Sequence, residues 1–259
     1  MTTRFQRVAH RGGSHLAPEN TLAAFRTALT LSVDAIELDV QMTSDGHAIV
    51  FHDNTVERLT DGTGNILDLD FAYLRSLNAA AHFKGGWPEP QRIPTLREVL
   101  DLARARTSVY IEIKTSKRDG VYGQYPNIVD AVLRDVRAAN MLDNVLVMSF
   151  DFSLLPQIKS LEPSLKTAAI ISKDVWKLES ENAFEPLLQL ATSLGVNLVN
   201  VDYDLLTPAM SAAIHKGGFK LGSWTVNTLE AMRHLAALKV DSITSDRPDL
   251  FSQMDDNNM

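Results

Sequence analysis

The sequence predicts a single (β/α)8 barrel, an α/β TIM-barrel architecture in which a closed ring of parallel strands is wrapped by helices. Three observations lead there. Short β-branched or apolar runs alternate with longer amphipathic segments almost to the end of the chain. Eight such runs are present, the number a closed barrel needs. The length, 259 residues, is close to what one barrel uses, so residues 1–259 read as one domain.

The first strand is expected at residues 7–10, followed by a helix over 21–31 with Asn20 as its N-cap. The second runs over 35–40 and carries a hairpin-like extension, 47–52, across the turn Thr43-Ser44-Asp45-Gly46. Helix 96–106 and strand 108–114 come next, then helix 128–139 and strand 145–150. Helix 152–161, strand 167–172, helix 183–194 and strand 198–202 continue the rhythm. Helix 208–215 opens with Thr207-Pro208, a cap followed by proline at the first helical position, where its missing N–H costs nothing. Strand 221–226, helix 229–238 and strand 242–245 complete the set, and residues 252–259 read as a frayed tail.

One segment breaks the alternation. Residues 54–94 put about forty positions where a strand-to-helix loop takes about 2–6. They read as an inserted cap at the barrel end where active sites lie, able to touch substrate or simply to pack on the surface.

Composition narrows the chemistry. Without cysteine there is no disulfide framework, thiolate nucleophile or zinc–thiolate site, so a metal would be held by oxygen or imidazole. The charge balance, 25 basic against 32 acidic residues, comes with no Lys/Arg-rich run, which argues against a nucleic-acid partner. No apolar run reaches the length of a membrane span, and residues 1–6 are too short and polar for a signal peptide. The expected location is cytoplasmic, with no integral membrane association.

The candidate chemistry sits at strand ends. His10-Arg11-Gly12-Gly13 closes the first strand, setting an imidazole beside a guanidinium before glycines that let the backbone turn sharply and approach a ligand. The pair is equally readable as a structural hydrogen-bonded couple. In Ile36-Glu37-Leu38-Asp39-Val40 the i, i+2 spacing puts both carboxylates on one face of the strand, pointing into the barrel if the aliphatic neighbours face the helices. Two buried carboxylates need a cation, either Lys or Arg in a salt bridge or a divalent metal. Ile111-Glu112-Ile113-Lys114 adds a third carboxylate and one lysine to the same space. The excess of negative charge favours a metal, and an oxygen-only ligand set favours Mg²⁺ or Ca²⁺, with Mn²⁺ next. His52 ends the second strand's extension; with a metal in place, His10 and His52 would flank it, one taking a proton while the other gives one. His15, His47, His82, His215 and His234 lack such company and read as surface or core residues. Ser149, Asp202 and Asp246 also end strands, but both aspartates fit helix caps equally well and none of the three is given a catalytic role. Glu19 is a candidate support for the site from the first loop, and Asn20 is better explained as a cap.

Taken together, these motifs resemble the glycerophosphodiester phosphodiesterase family of phospholipase-C-like barrels. The likeness runs through His10-Arg11-Gly12, Pro18-Glu19-Asn20-Thr21, Glu37-Leu38-Asp39-Val40, Thr43-Ser44-Asp45-Gly46 and His52-Asp53. It resumes at Pro94-Thr95-Leu96, Glu112-Ile113-Lys114 and Ser149-Phe150 and closes with Trp224-Thr225-Val226-Asn227. Ser32 departs from the pattern, standing where a glycine is expected after the first helix. The resemblance implies that Glu37, Asp39 and Glu112 hold one divalent ion and that His10 and His52 are the acid–base pair. It further implies that Arg11 and Lys114 neutralise the phosphate and that Trp224 packs on a glycerol moiety. The implied reaction is metal-dependent hydrolysis of small-molecule glycerophosphodiesters, the deacylated phospholipids, to sn-glycerol 3-phosphate and an alcohol, through a cyclic phosphate. Two alternatives stand beside it. One is a lysophospholipase D acting on lipid-sized diesters along an apolar ramp of Phe71, Tyr73, Phe83 and Trp87; the other is a barrel that binds phosphodiesters without turning them over.

Overall fold

The structure, a computed structural model, describes residues 5–176 and 184–254. Eight parallel strands close into a barrel: β1 (Gln6–Ala9), β2 (Ala35–Met42), β3 (Ser108–Ile113) and β4 (Val145–Ser149), then β5 (Lys166–Ile171), β6 (Leu198–Asp202), β7 (Lys220–Trp224) and β8 (Ser242–Ser245). Each strand pairs with the next, and β8 returns to β1 with Ala9 opposite Ser245, so the ring has no open edge. The predicted extension is the short strand Ala48–Val50, antiparallel to β2 and bringing Val50 opposite Val40.

Seven helices follow the first seven strands in turn. They are α1 (Leu22–Ala28), α2 (Leu96–Ala103), α3 (Ile128–Ala138), α4 (Leu154–Leu161), α5 (Glu185–Leu194), α6 (Pro208–Lys216) and α7 (Leu229–Ala237). A 3₁₀ turn, Pro248–Met254, takes the eighth place, so residues 252–254 continue an ordered turn where a frayed tail was expected; 255–259 lie outside the described residues, as do 1–4 and the expected helix start at 183. α1 is shorter than expected because Thr30 and Leu31 donate to carbonyls three residues back, tightening its end into a turn. Its N-cap is Thr21, whose hydroxyl accepts from the Ala24 N–H, and not Asn20. Among the described residues no helix is long and apolar enough to cross a membrane.

The period-2 alternation of β2 divides its side chains between two layers. Ile36, Leu38 and Val40 join the strand–helix core, where burial of each contributes about 1.5–3 kcal/mol. Ala35 belongs to the inner cluster with Val8, Tyr110, Met148 and Ile170, and Glu37 and Asp39 continue its face toward the rim. Residues 54–94 pack through Val56, Ile66, Leu74 and Ile93 and include one helical turn and a half, Phe71–Ser76. A second hairpin, Ser116–Arg118 with Val121–Gly123, follows β3. It was not expected from the sequence, and its Val121 is 71% exposed.

Candidate active site

The chain leaves β1 in a 3₁₀ turn, His10–Gly12, with Arg11 and Gly12 both at positive φ. A Cβ on Gly12 would lie 2.8 Å from the Ala24 carbonyl carbon and 2.9 Å from the Phe25 nitrogen. Glycine is therefore required by the close approach of this loop to α1, and not by approach to a ligand as the sequence suggested. The turn carries the Arg11 N–H onto Glu37 Oε2 at 2.9 Å.

Glu37, Asp39 and Glu112 each place a carboxylate oxygen within 4.8 Å of the others, all three side chains being buried. The register of β2 against β3 sets this up, with Asp39 directly opposite Glu112. Cations are present: Lys114 Nζ lies 2.7 Å from Glu112 Oε1 and 3.6 Å from Asp39 Oδ1, and Arg11 Nε lies 3.2 Å from Asp39 Oδ2. Both sequence readings of the acids thus have a physical basis, because the ion pairs exist and still leave Glu37 Oε1 outside them and Asp39 Oδ1 with no contact closer than the 3.6 Å to Lys114. Glu37 Oε1 and Asp39 Oδ1 are buried without a hydrogen-bond partner. Burial, then the neighbouring charges of Asp39 and Glu112, push the Glu37 carboxyl well above its ordinary range. For Asp39 burial acts in the same direction, but Arg11 and then Lys114 outweigh it and hold the group below the usual range. A group that resists ionisation beside two oxygens that accept no hydrogen bond is what a divalent cation would relieve, so the donor set fits such an ion.

Asn20 is the first residue whose role the sequence misplaced. It sits at φ +58, buried, and its amide Nδ2 donates to Asp39 Oδ2 at 2.8 Å while its Oδ1 accepts from the Asp39 backbone N–H at 3.3 Å. Thr21 takes the cap, which leaves Asn20 free to orient an acid.

Each histidine is held at Nδ1 by a carboxylate. His10 Nδ1 is 2.6 Å from Asp246 Oδ1, and Asp246 also accepts from Ser14 Oγ at 2.6 Å and Asn227 Nδ2 at 2.7 Å. His52 Nδ1 is 2.6 Å from Asp53 Oδ1, and Arg58 holds Asp53 with its Nε and with Nη2 at 2.9 Å. Burial would raise both acids; the bond to His10 for Asp246, and those to His52 and Arg58 for Asp53, carry them below the ordinary range instead. Arg58 also donates to Glu19 Oε1 at 2.9 Å, and Arg11 Nη1 donates to the same oxygen at 2.9 Å, so Glu19, expected only as a support from the first loop, joins that loop to the one carrying Arg58. His52 is steadied from below by Gln41, whose Nε2 donates to the carbonyls of Phe51 and Asp53 and whose Oε1 accepts from Tyr125.

Trp224 ends β7. Its Nε1 donates to the Asn200 carbonyl at 3.2 Å, and its ring meets Phe150 edge to face at 5.6 Å. One cavity of about 90 Å³ brings the candidates together. His10, Arg11, Glu37, His52, Glu112 and Lys114 line its charged side; Met148, Phe150, Ile170 and Trp224 line its apolar side. Asp39 lies beneath them, fully buried within the acid cluster.

Residues 54–94 contribute nothing to the lining of this cavity and reach the site only through Arg58; their His82, Phe83 and Lys84 border a separate cleft of about 540 Å³ against the first loop. The four aromatic residues proposed as a ramp do not line the cavity either. Phe71 stacks on His47 at 4.8 Å, the Tyr73 hydroxyl bonds the Thr63 backbone, and Phe83 meets Trp87 at 5.5 Å. Of the remaining candidates, Asp202 is a cap on the Asp204 N–H, Ser149 bonds the Ile113 carbonyl, and Asp246 is no cap but the partner of His10. His215 also has company, with its Nε2 2.9 Å from Asp241, but neither residue lines this cavity.

Residues 10–250 match the family model described as the glycerophosphoryl diester phosphodiesterase family. The chain belongs to this family. A glycerophosphodiester phosphodiesterase from Caldanaerobacter subterraneus subsp. tengcongensis is 35% identical over 243 residues, covering 93% of this chain and 94% of the relative. Human glycerophosphodiester phosphodiesterase 1 is 30% identical, covering 88% and 73%. Among solved structures, a family member from Agrobacterium tumefaciens str. C58 superposes with a TM-score of 0.79 at 27% identity, covering 96% of this chain and 100% of that one. A phosphodiesterase from Oleispira antarctica, solved with its product sn-glycerol-3-phosphate, has the same fold, with a TM-score of 0.83 at 24% identity and 96% of each chain covered.

Proposed function

We propose that the protein hydrolyses glycerophosphodiesters to sn-glycerol 3-phosphate and an alcohol. The observation that carries this is the presence in one cavity of two histidines, each braced at Nδ1 by its own carboxylate, beside a cluster of three buried acids. A protein that only binds phosphodiesters has no use for such a pair. Membership of the family and the named activity of the relatives agree with the reading.

In this reading the bracing carboxylates leave Nε2 of each imidazole to handle protons. The glycerol 2-hydroxyl attacks phosphorus; one histidine takes its proton as the bond from phosphorus to the departing alcohol breaks, and the other protonates that alcohol's oxygen. Water then opens the cyclic phosphate with the two roles exchanged, breaking the bond to the 2-oxygen and leaving the phosphate on the terminal carbon. Arg11 and Lys114 balance charge on the non-bridging oxygens, and Trp224 packs on the glycerol carbons. A divalent ion held by Glu37, Asp39 and Glu112 would supply Lewis-acid stabilisation of the same oxygens, and the all-oxygen donors suit Mg²⁺ or Ca²⁺, then Mn²⁺. The same reading treats residues 1–259 as one domain with 54–94 as an insertion.

The test is release of glycerol 3-phosphate from glycerophosphocholine and glycerophosphoethanolamine with EDTA, then with Mg²⁺, Ca²⁺ or Mn²⁺ restored. Metal-dependent release on either substrate is the expected result. No release with any metal, on these diesters or on lysophospholipids, would leave a phosphodiester-binding barrel as the better account.

A further inference from the structure

The apolar side of the cavity contains two buried side-chain oxygens without a hydrogen-bond partner. Asn200, on β6, is 3% exposed and Thr244, on β8, is 2% exposed; both line the cavity, and Asn200 Oδ1 and Thr244 Oγ1 have no hydrogen-bond partner. The Asn200 amide nitrogen has only the weak acceptor Met148 Sδ, at 3.5 Å. Room for Asn200 is made deliberately. Gly222 lies opposite it in register, and a Cβ there would come within 2.5 Å of Asn200 Oδ1 and 2.8 Å of Ser242 Oγ, a hydroxyl that borders the same space but makes no hydrogen bond to the amide. The backbone carbonyl of Asn200 meanwhile accepts from the Trp224 indole N–H at 3.2 Å, which ties the ring to the strand that carries the amide.

Buried polar atoms without partners are costly, and sites retain them where a ligand completes them. The neighbours here are Met148, Ile170 and Trp224, which suit carbon, while the anionic group of a diester belongs on the opposite, charged side. What remains to be matched is an acceptor on Asn200 and a hydroxyl on Thr244 that both donates and accepts. A neutral hydroxyl of the substrate's alcohol chain meets both.

We propose that Asn200 and Thr244 form a hydroxyl-binding subsite that selects phosphorylated polyols carrying a free terminal hydroxyl over chains that end in methyl at the same position. This rests on the reaction proposed above, and it names which part of the substrate is read. A site built around an unpartnered acceptor discriminates against a substrate that leaves it unpaired.

The experiment compares glycerophosphocholine with 2-hydroxypropyl phosphocholine. The second keeps the leaving choline and the secondary hydroxyl that attacks phosphorus and replaces only the terminal hydroxymethyl by methyl. We expect the wild-type protein to prefer glycerophosphocholine in kcat/KM by ten- to a hundredfold. Thr244→Val and Asn200→Ala bring that ratio toward one, and Thr244→Ser, which restores a hydroxyl, restores the preference. A wild-type ratio near one overturns the proposal. So does a preserved ratio in folded Thr244→Val with both substrates slowed alike, which would mean that the two groups only solvate the barrel interior. Calorimetric binding of sn-glycerol 3-phosphate against 2-hydroxypropyl phosphate repeats the comparison without turnover. If no diester is cleaved but this binding preference exists and disappears in Thr244→Val, the reaction is wrong and the subsite stands. If cleavage occurs without any preference, the reaction stands and the subsite falls.

Discussion

Replacing Glu37 by glutamine separates the need of the fold from the need of the ion. In the metal-free protein the Glu37 side chain is 1% exposed, with Oε1 unpartnered and the carboxyl resisting ionisation beside two other acids. An amide in its place keeps an oxygen for the Arg11 N–H, now at 2.9 Å from Oε2, and turns an NH₂ donor toward Asp39 and Glu112. Losing an unpaired buried acceptor and gaining donors is worth on the order of 1–3 kcal/mol, so metal-free Glu37→Gln is expected to melt above the metal-free wild type. The ion sees the opposite. A wild-type site at a hundred times the dissociation constant gains about 2.7 kcal/mol, which for a chain of this size raises the thermal midpoint by about 5–10 °C. Glu37→Gln is expected to lose most of that increment with Mg²⁺ or Ca²⁺. Differential scanning fluorimetry at neutral pH, with EDTA and with each ion, reads both effects. A variant that is less stable than wild type in EDTA, or that keeps the full metal-induced shift, refutes the reasoning.

Three further outcomes follow from the same geometry. Asp246→Asn keeps the shape of the group on His10 and removes its charge; kcat on glycerophosphocholine is expected to fall by about 10²–10⁴ with KM little changed, and a kcat within threefold of wild type would contradict the bracing role. Gly12→Ala forces a Cβ onto the backbone of α1 at positive φ, so urea denaturation should show a loss on the order of 1–3 kcal/mol, and an unchanged midpoint would sink the close-approach argument. The pH profile of stability in EDTA has two limbs. Asp39, Asp53 and Asp246 sit below their unfolded values, so their contribution is present above about pH 4 and is lost as pH falls through the lower folded values. Glu37 sits above its unfolded value, so the metal-free fold gains stability as pH falls through that raised value toward about 4, and thermal midpoints measured from pH 3 to 8 should peak on the acid side of neutrality. A midpoint rising steadily from pH 4 to 8 in EDTA would contradict the account of Glu37.

The strands were legible because their alternation is strict and their acids obey it; Glu37, Asp39 and Glu112 point inward for the same reason that Ile36 and Leu38 point outward. The residues that hold the histidines were not. Asp246 is 236 positions from His10, and a carboxylate at a strand end looks the same whether it caps a turn, as Asp202 does, or orients an imidazole. Asn20 was obscured by its neighbour, since either Asn20 or Thr21 can cap a helix and only the three-dimensional position of Asp39 decides between them. The hairpin after β3 did carry a local signal. Asp119-Gly120 stands between its strands with both φ angles positive, as a tight hairpin turn requires, but the flanking segments are too short to show a period. Nothing in the sequence marked Asn200 and Thr244 as cavity-lining residues, because a single polar position in a strand has no pattern at all.

The bond between His10 and Asp246 joins the first strand to the loop after the last. A chain emerging in order from its N-terminus makes His52, the three acids and both cations long before it makes Asp246, and it closes the ring only when β8 docks beside β1. Turnover should therefore report the completion of folding. During refolding, compactness and helix content would recover ahead of enzymatic activity, and activity would return in step with seating of the final strand. A version of the chain cut before residue 242 would keep both histidines, the three acids and both cations but lack the partner of His10 and the strand that closes the ring, and its turnover is expected to fall at least as far as that of Asp246→Asn, which makes seating of the last strand the event that switches the catalyst on.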